Sequence, residues 1–172
     1  MKKRIMMKIA KRYRGELVWA IYYGQFDKVK RIIRSGIDVN ESDENGTTAL
    51  RWATQEGHLN IIQLLLSLGA NINTTDHDGT SPLYQAAADG NKQIVEYLLD
   101  NEANINIKNT DGTTPLMIAS SYNQFEIVKL LVQRSADIDA KDNDGNTAVF
   151  YAEEYENEEV VTFLRGQGYS VK

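Results

Sequence analysis

Glycines at positions 46, 79, 112 and 145 recur at a spacing of 33 residues each time, and the residues that follow them recur with them. The four segments read NGTTALRWAT from Asn45, DGTSPLYQAA from Asp78, DGTTPLMIAS from Asp111 and DGNTAVFYAE from Asp144. A fixed period of this size argues against one globular core and for a row of similar units, each burying its apolar face against the next.

Within a unit the local signals predict two helices. Thr48, Ser81 and Thr114 carry the short hydroxyl side chain that accepts a bond from a free N–H at a helix start, and proline follows two of them. A first helix is therefore expected to begin near 48, 81, 114 and 147. Leu50/Ala53 and their counterparts Leu83/Ala86, Leu116/Ala119 and Val149/Ala152 lie three apart, on one buried face, the alanine permitting close approach of a neighbouring helix. The helix is short, because Gly57, Gly90 and Asn123 tolerate the left-handed conformation that ends a helix. A second helix follows in LNIIQLLLSLGA, where Leu59, Ile62, Leu65 and Leu66 have amphipathic spacing and Gly69 closes the run. A polar turn with DG or NG completes the unit.

In these features the sequence resembles the ankyrin repeat family, whose 33-residue units carry a T-P-L-H-x-A signature between a β-turn and two helices. The implied fold is all-α: an ankyrin-type α-solenoid of about five helix-turn-helix repeats with short β-turn or hairpin connections. The expected units are 13–45, 46–78, 79–111, 112–144 and 145–169, within a repeat domain of residues 13–172 that follows a basic arm at 1–12. The first unit lacks T-P-L but aligns Leu17, Ala20, Gly24, Val29, Gly36 and Asn40 with Leu50, Ala53, Gly57, Ile62, Gly69 and Asn73. Glu153, Glu154, Glu156, Glu158 and Glu159 make the last unit polar, as a terminal cap must be. Two departures carry expectations. Arg51, Tyr84, Met117 and Phe150 replace the signature histidine, whose hydrogen bonding must be replaced or absent. Glu102 and Ser135 replace the glycine that ends the second helix, so those joints are either re-routed or strained by about 1 to 2 kcal/mol.

Charge narrows the partner. The chain has a formal net charge of -5, yet residues 1–14 hold seven Lys/Arg and no acid. The acidic body repels phosphate backbones, so nucleic acid is not expected on the repeats. An anionic membrane or nucleic acid could be reached only through the arm. The absence of cysteine, of an apolar run near the roughly 20 residues of a membrane span and of a secretory leader pattern points to the cytosol or nucleus.

No catalytic, metal or cofactor site is expected. Of the two histidines, His58 follows Gly57 at the second-helix start and reads as structural, and His77 lies in a polar turn and reads as solvated. DHDG and DNDG lack the remaining ligands of a calcium loop. No serine or threonine has a positioned base. The reading is a protein-binding module, an adaptor, scaffold or inhibitor, expected to be a monomer. The electrostatic tether through the arm is the alternative, and an enzyme is a distant third. The resemblance implies a partner on the turn tips and the exposed ends of the first helices. Those positions include Tyr22, Tyr23, Glu44, Gln55, Glu56, His77, Asp78, Asp89, Asp111, Tyr122, Asp144, Glu154 and Tyr155. Their acids call for a basic partner surface, and the tyrosines are amphipathic anchors. Asp78, Asp111 and Asp144 are also read as turn formers, and Trp19 and Trp52 are expected to stack between the first two units.

Overall fold

The computed structural model describes residues 15–167; the basic arm at 1–12 and the tail from 168 lie outside the described residues. Helical residues 15–22 (α1) are followed by α2 (Phe26–Arg34), α3 (Ala49–Gln55), α4 (Leu59–Ser67), α5 (Pro82–Ala88), α6 (Lys92–Asp100), α7 (Pro115–Ser121), α8 (Phe125–Gln133), α9 (Ala148–Glu154) and α10 (Glu158–Gly166). The described residues form no sheet; an isolated antiparallel bridge joins Ser42 to Thr48. The all-α repeat solenoid is thus the observed fold.

The first helices α3, α5 and α7 each start on a hydroxyl. Thr48, Ser81 and Thr114 accept from the backbone N–H of Arg51, Tyr84 and Met117 at 3.4, 3.1 and 3.3 Å, and Pro82 and Pro115 occupy the first turn, where no bond is lost. The helix then stops after about two turns at a left-handed residue. The next N–H folds back to the alanine carbonyl, as in Gln25 to Ala20, His58 to Ala53, Asn91 to Ala86, Gln124 to Ala119 and Asn157 to Ala152. Those carbonyls would otherwise lack a partner.

Helices of seven residues are too short to be stable alone, since isolated helices need about 12 to 15 residues. Stacking supplies what propensity cannot. Ala20, Ala53, Ala86, Ala119 and Ala152 are all 0% exposed, which lets the first helices approach one another in one layer. Leu50, Leu83 and Leu116 are each 1% exposed beneath them. From the second layer, Val29, Ile62, Val95 and Val128, with Leu65, Leu98, Leu131 and Leu164, close one continuous core. Fully burying such a side chain contributes about 1.5 to 3 kcal/mol.

Polar ladders register the turns. His77, Thr110 and Asn143 donate their N–H groups to the carbonyls of Asn45, Asp78 and Asp111, each at 3.0 Å. A second ladder runs behind it, with Asn40, Asn73 and Asn106 accepting from the N–H of Asn71, Asn104 and Asp137 at 2.7 to 2.9 Å. The side chains that shape the turn tips are Asp43, Asp76, Asn109 and Asp142, each accepting two backbone N–H groups from the residues two and four ahead. Asp78, Asp111 and Asp144 lie in the turns as expected, and they contribute to these bonds through their backbone N–H groups, not their side chains.

Glu102 and Ser135 do adopt the left-handed conformation, both at φ 67°, and so do Asn123 and Glu156, at 55° and 57°. The pairing expected of the tryptophans is not what the rings do. Trp19 is 59% exposed and stacks on Tyr23 of its own unit, with centroids 5.6 Å apart. Trp52, half-buried, donates its indole N–H to Asp43 at 3.0 Å. Both residues of the Trp52 contact lie beside the second turn, and Trp19 has no aspartate in the equivalent place, because position 10 is an alanine.

Candidate functional site

The four residues that replace the signature histidine each solve their position differently. Arg51, 9% exposed, donates to Gln55 Oε1 at 2.9 Å and pairs with Asp76 of the following turn at 3.6 Å, while its Nε is buried without an acceptor. Tyr84 shares a hydrogen bond with Thr113 of the following turn at 3.1 Å. The sulfur of Met117 accepts the N–H of Thr114 at 3.3 Å, and Phe150, with no following turn among the described residues, is 39% exposed. In the first two cases a side chain of one unit grips the turn of the next, so the hydrogen bonding is replaced there.

Between α5 and α7 the inner face opens into a groove of about 350 Å³ lined by Arg51, Tyr84, Gln85, Asp89, Ile118 and Tyr122, together with Thr80 and Ala88. The Asp89 carboxylate is held by the amide of Gln85, one turn earlier, at 2.7 Å. Burial pulls the Arg51 guanidinium down from its ordinary pKa, and Asp76, Asp89 and Asp43 oppose that shift. Burial pushes the Tyr84 phenol up, the Thr113 bond opposes it, and Tyr122 and Asp111 add to the rise. Four carboxylates thus act on this stretch of groove against one guanidinium.

The same field continues at the last turn. Burial alone would raise the Asp142 carboxyl, but hydrogen bonds from the Tyr151 hydroxyl at 2.6 Å, from Asn146 and from the N–H of Asp144 hold it below the usual carboxylate range. The Tyr151 phenol, half-buried and beside that carboxylate, is pushed well up.

Of the residues expected from sequence to meet a partner, Tyr22, Tyr23, Glu44, Gln55, His77, Asp78, Asp89, Asp111, Tyr122, Asp144, Glu154 and Tyr155 are exposed and Glu56 is half-buried. Asp89 and Tyr122 meet in the groove. Tyr22 and Tyr23 form an aromatic cluster with Trp19 at the other end, their two rings edge to face with centroids 5.1 Å apart. No ring-to-ring contact joins Tyr155 to these groups among the described residues. Arg51, Tyr84, Gln85 and Ile118 escaped the sequence reading. The signal for the first two was present, since they occupy the departed histidine position, but their sequence gives no hint that they reach forward to the next turn. The two histidines also serve the stack: the His58 ring lies against Gly24 with Nε2 3.4 Å from the Tyr22 carbonyl, and the His77 ring lies over Gly46.

A second, shallower depression lies between α8 and α10, where Phe125 and Phe163 meet edge to face at 5.7 Å beside Glu158 and Glu159. Among the described residues no group of three or more His, Asp or Glu could hold a metal ion, and no helix is long and apolar enough to cross a membrane.

Comparison with curated proteins found no match. The family model described as ankyrin repeats (3 copies) matches residues 17–109 and again 101–172. Ankyrin repeats are in general protein–protein interaction modules and typically non-enzymatic. With the period, the paired helices and the family model in agreement over nearly the whole chain, the protein belongs to the ankyrin repeat family.

Proposed function

We propose that the chain binds a partner protein through the inner face formed by its first helices and turn tips, and that the partner presents a basic surface. One observation carries this reading. The large hydrophobic side chains left exposed among the described residues are Trp19, Tyr22, Tyr23, Leu68, Tyr122, Phe150 and Tyr155, and all but Leu68 lie on first helices or at their C-terminal ends. Exposed aromatics concentrated on one face mark an interaction surface, and the intervening carboxylates of Glu56, Asp89 and Glu154 set its sign. Such a module acts as an adaptor, a scaffold or an inhibitor covering its partner, as a monomer in the cytosol or nucleus.

Side-by-side binding measurements on three forms of the chain test this. Changing Glu56, Asp89 and Glu154 together to lysine is expected to weaken partner capture, Tyr122→Ala to weaken it further, and deletion of residues 2–12 to leave it unchanged. The association rate is expected to fall as salt rises, because such attraction is screened over about 10 Å at 0.1 M. Full retention by the groove variants with complete loss on deletion of the arm would replace this reading with an electrostatic tether.

A further inference from the structure

The first unit differs from the other four on one side of its second helix. Position 28 of α2 corresponds to Ile61, Ile94, Ile127 and Val160, and position 31 to Leu64, Tyr97, Leu130 and Phe163, apolar without exception. Ile61, Ile94, Ile127 and Val160 are all buried, even in the last unit, which has a unit before it and none after it among the described residues. That side therefore faces the preceding unit. Phe163 makes the contact directly, meeting Phe125 of the unit before at 5.7 Å. In the first unit, with no unit before it among the described residues, the two places hold Lys28, half-buried, and Arg31, exposed. Lys30 and Arg34 add two cations to the same helix, and among the described residues no carboxylate forms an ion pair with any of the four.

A terminal unit needs only to be polar. This one carries a single sign of charge, and the chain reinforces it: residues 1–34 hold eleven Lys/Arg and two acids, the remainder eight and twenty-two. We propose that the basic end of the solenoid is a second surface, separate from the inner face, that docks on an anionic membrane, Lys28 and Arg31 meeting lipid headgroups beside the cations of the arm. The arm runs into α1 of the same unit, and Ile5, Met6, Met7 and Ile9 lie among its cations. A phosphate backbone offers those side chains nothing, whereas a membrane interface takes apolar residues into the acyl boundary and cations among the headgroups. The acidic units do not undo the attraction. Each stands a helix-packing distance of about 8 to 10 Å further from the plane, and exposed charges are screened over about 8 Å at physiological salt. The shared sign also argues against the arm itself as the cover of this end, since its cations repel Lys28 and Arg31.

Co-sedimentation of the full chain with lipid vesicles tests this. Vesicles of phosphatidylserine and phosphatidylcholine in equal parts are expected to carry the chain down, and vesicles of phosphatidylcholine alone to leave it in solution. Lys28→Gln together with Arg31→Gln is expected to weaken the binding about 25-fold, a cation at an anionic leaflet being worth about fivefold. Lys92→Gln together with Lys141→Gln, the same change of charge on later units, is expected to leave it unchanged. Ile5→Ser together with Ile9→Ser, which alters no charge, is expected to weaken it about tenfold. An unchanged thermal midpoint verifies the fold of each variant. Equal binding to the two kinds of vesicle, binding to neither, equal losses from the two pairs of cation changes, or full retention by the isoleucine variant overturns the inference. Duplex DNA that strips the chain from the vesicles at equal phosphate, and binds the isoleucine variant as tightly as the unaltered chain, overturns it in favour of a nucleic acid at this end.

Discussion

The two halves of the solenoid end their helices with different residues. Up to residue 90 every left-handed helix end is a glycine: Gly24, Gly36, Gly57, Gly69 and Gly90. Beyond it every described one is not: Glu102, Asn123, Ser135 and Glu156. The backbone is the same in both halves, so the conformation is imposed by stacking and not by the residue. What decides whether a side chain is admitted is the space above it. A Cβ at Gly36 or Gly69 would meet nothing within 4 Å, and Glu102 and Ser135 occupy the matching open positions. At first-helix ends the next unit leans in. The His58 ring would lie 2.8 Å from a Cβ at Gly24, and one at Gly90 would run into the Gln124 amide, which donates to the Ala88 carbonyl at 3.0 Å. Where the overlying residue is the shorter asparagine there is room: Asn91 stands 3.5 Å from a Cβ at Gly57, and Asn157 reaches past Asn123 to the Ser120 carbonyl at 2.7 Å.

If the halves differ only at these joints, their cores should respond alike. Leu50→Ala, Leu83→Ala and Leu116→Ala are each expected to lower stability by about 2 to 5 kcal/mol in urea unfolding, because each leucine is buried to the same degree. A Leu83 change below about 0.5 kcal/mol would contradict the stacked core. Gly90→Ala should come next, at about 2 to 3 kcal/mol, from left-handed strain together with the displaced Gln124 bond. Gly57→Asn, which copies the Asn123/Asn157 pair two joints earlier, should lose under about 1 kcal/mol, asparagine visiting this conformation readily. Equal losses at 57 and 90 would show that the overlying side chain does not matter.

In the other half, Glu102→Gly removes about 1 to 2 kcal/mol of strain but gives the unfolded chain about 0.4 to 1 kcal/mol more freedom. The expected result is neutral to stabilising by up to about 1 kcal/mol, read as a shift in the urea midpoint. Clear destabilisation would mean that the Glu102 side chain holds something in place. The smallest effect is on pH. The carboxyls of Asp43 and Asp142 lie below the ordinary value of about 3.9 in the folded chain, so their contribution is complete at neutral pH and is lost as pH falls through the folded values. Asn109 performs the same turn duty without titrating. Asp142→Asn is therefore expected to flatten the acid limb of the stability curve, and an unchanged limb would place the titration elsewhere.

The period, the hydroxyl caps, the prolines and the Leu/Ala spacing determined the all-α repeat solenoid, because these are local signals repeated until chance is excluded. The same locality made Glu102 and Ser135 legible as left-handed residues, since the chain must turn there whatever follows. Contacts between units were not legible. That Tyr84 shares a bond with Thr113, that Asn157 reaches the Ser120 carbonyl and that Gln85 lines a groove with Tyr122 depend on which side chains 29 to 37 residues apart the stacking brings together. A repeat shows that position 84 corresponds to position 51. Only the packed neighbours decide that Arg51 turns to Asp76 while Tyr84 turns to Thr113, because a side chain settles on the partner whose bond offsets its burial, and that partner belongs to the next unit.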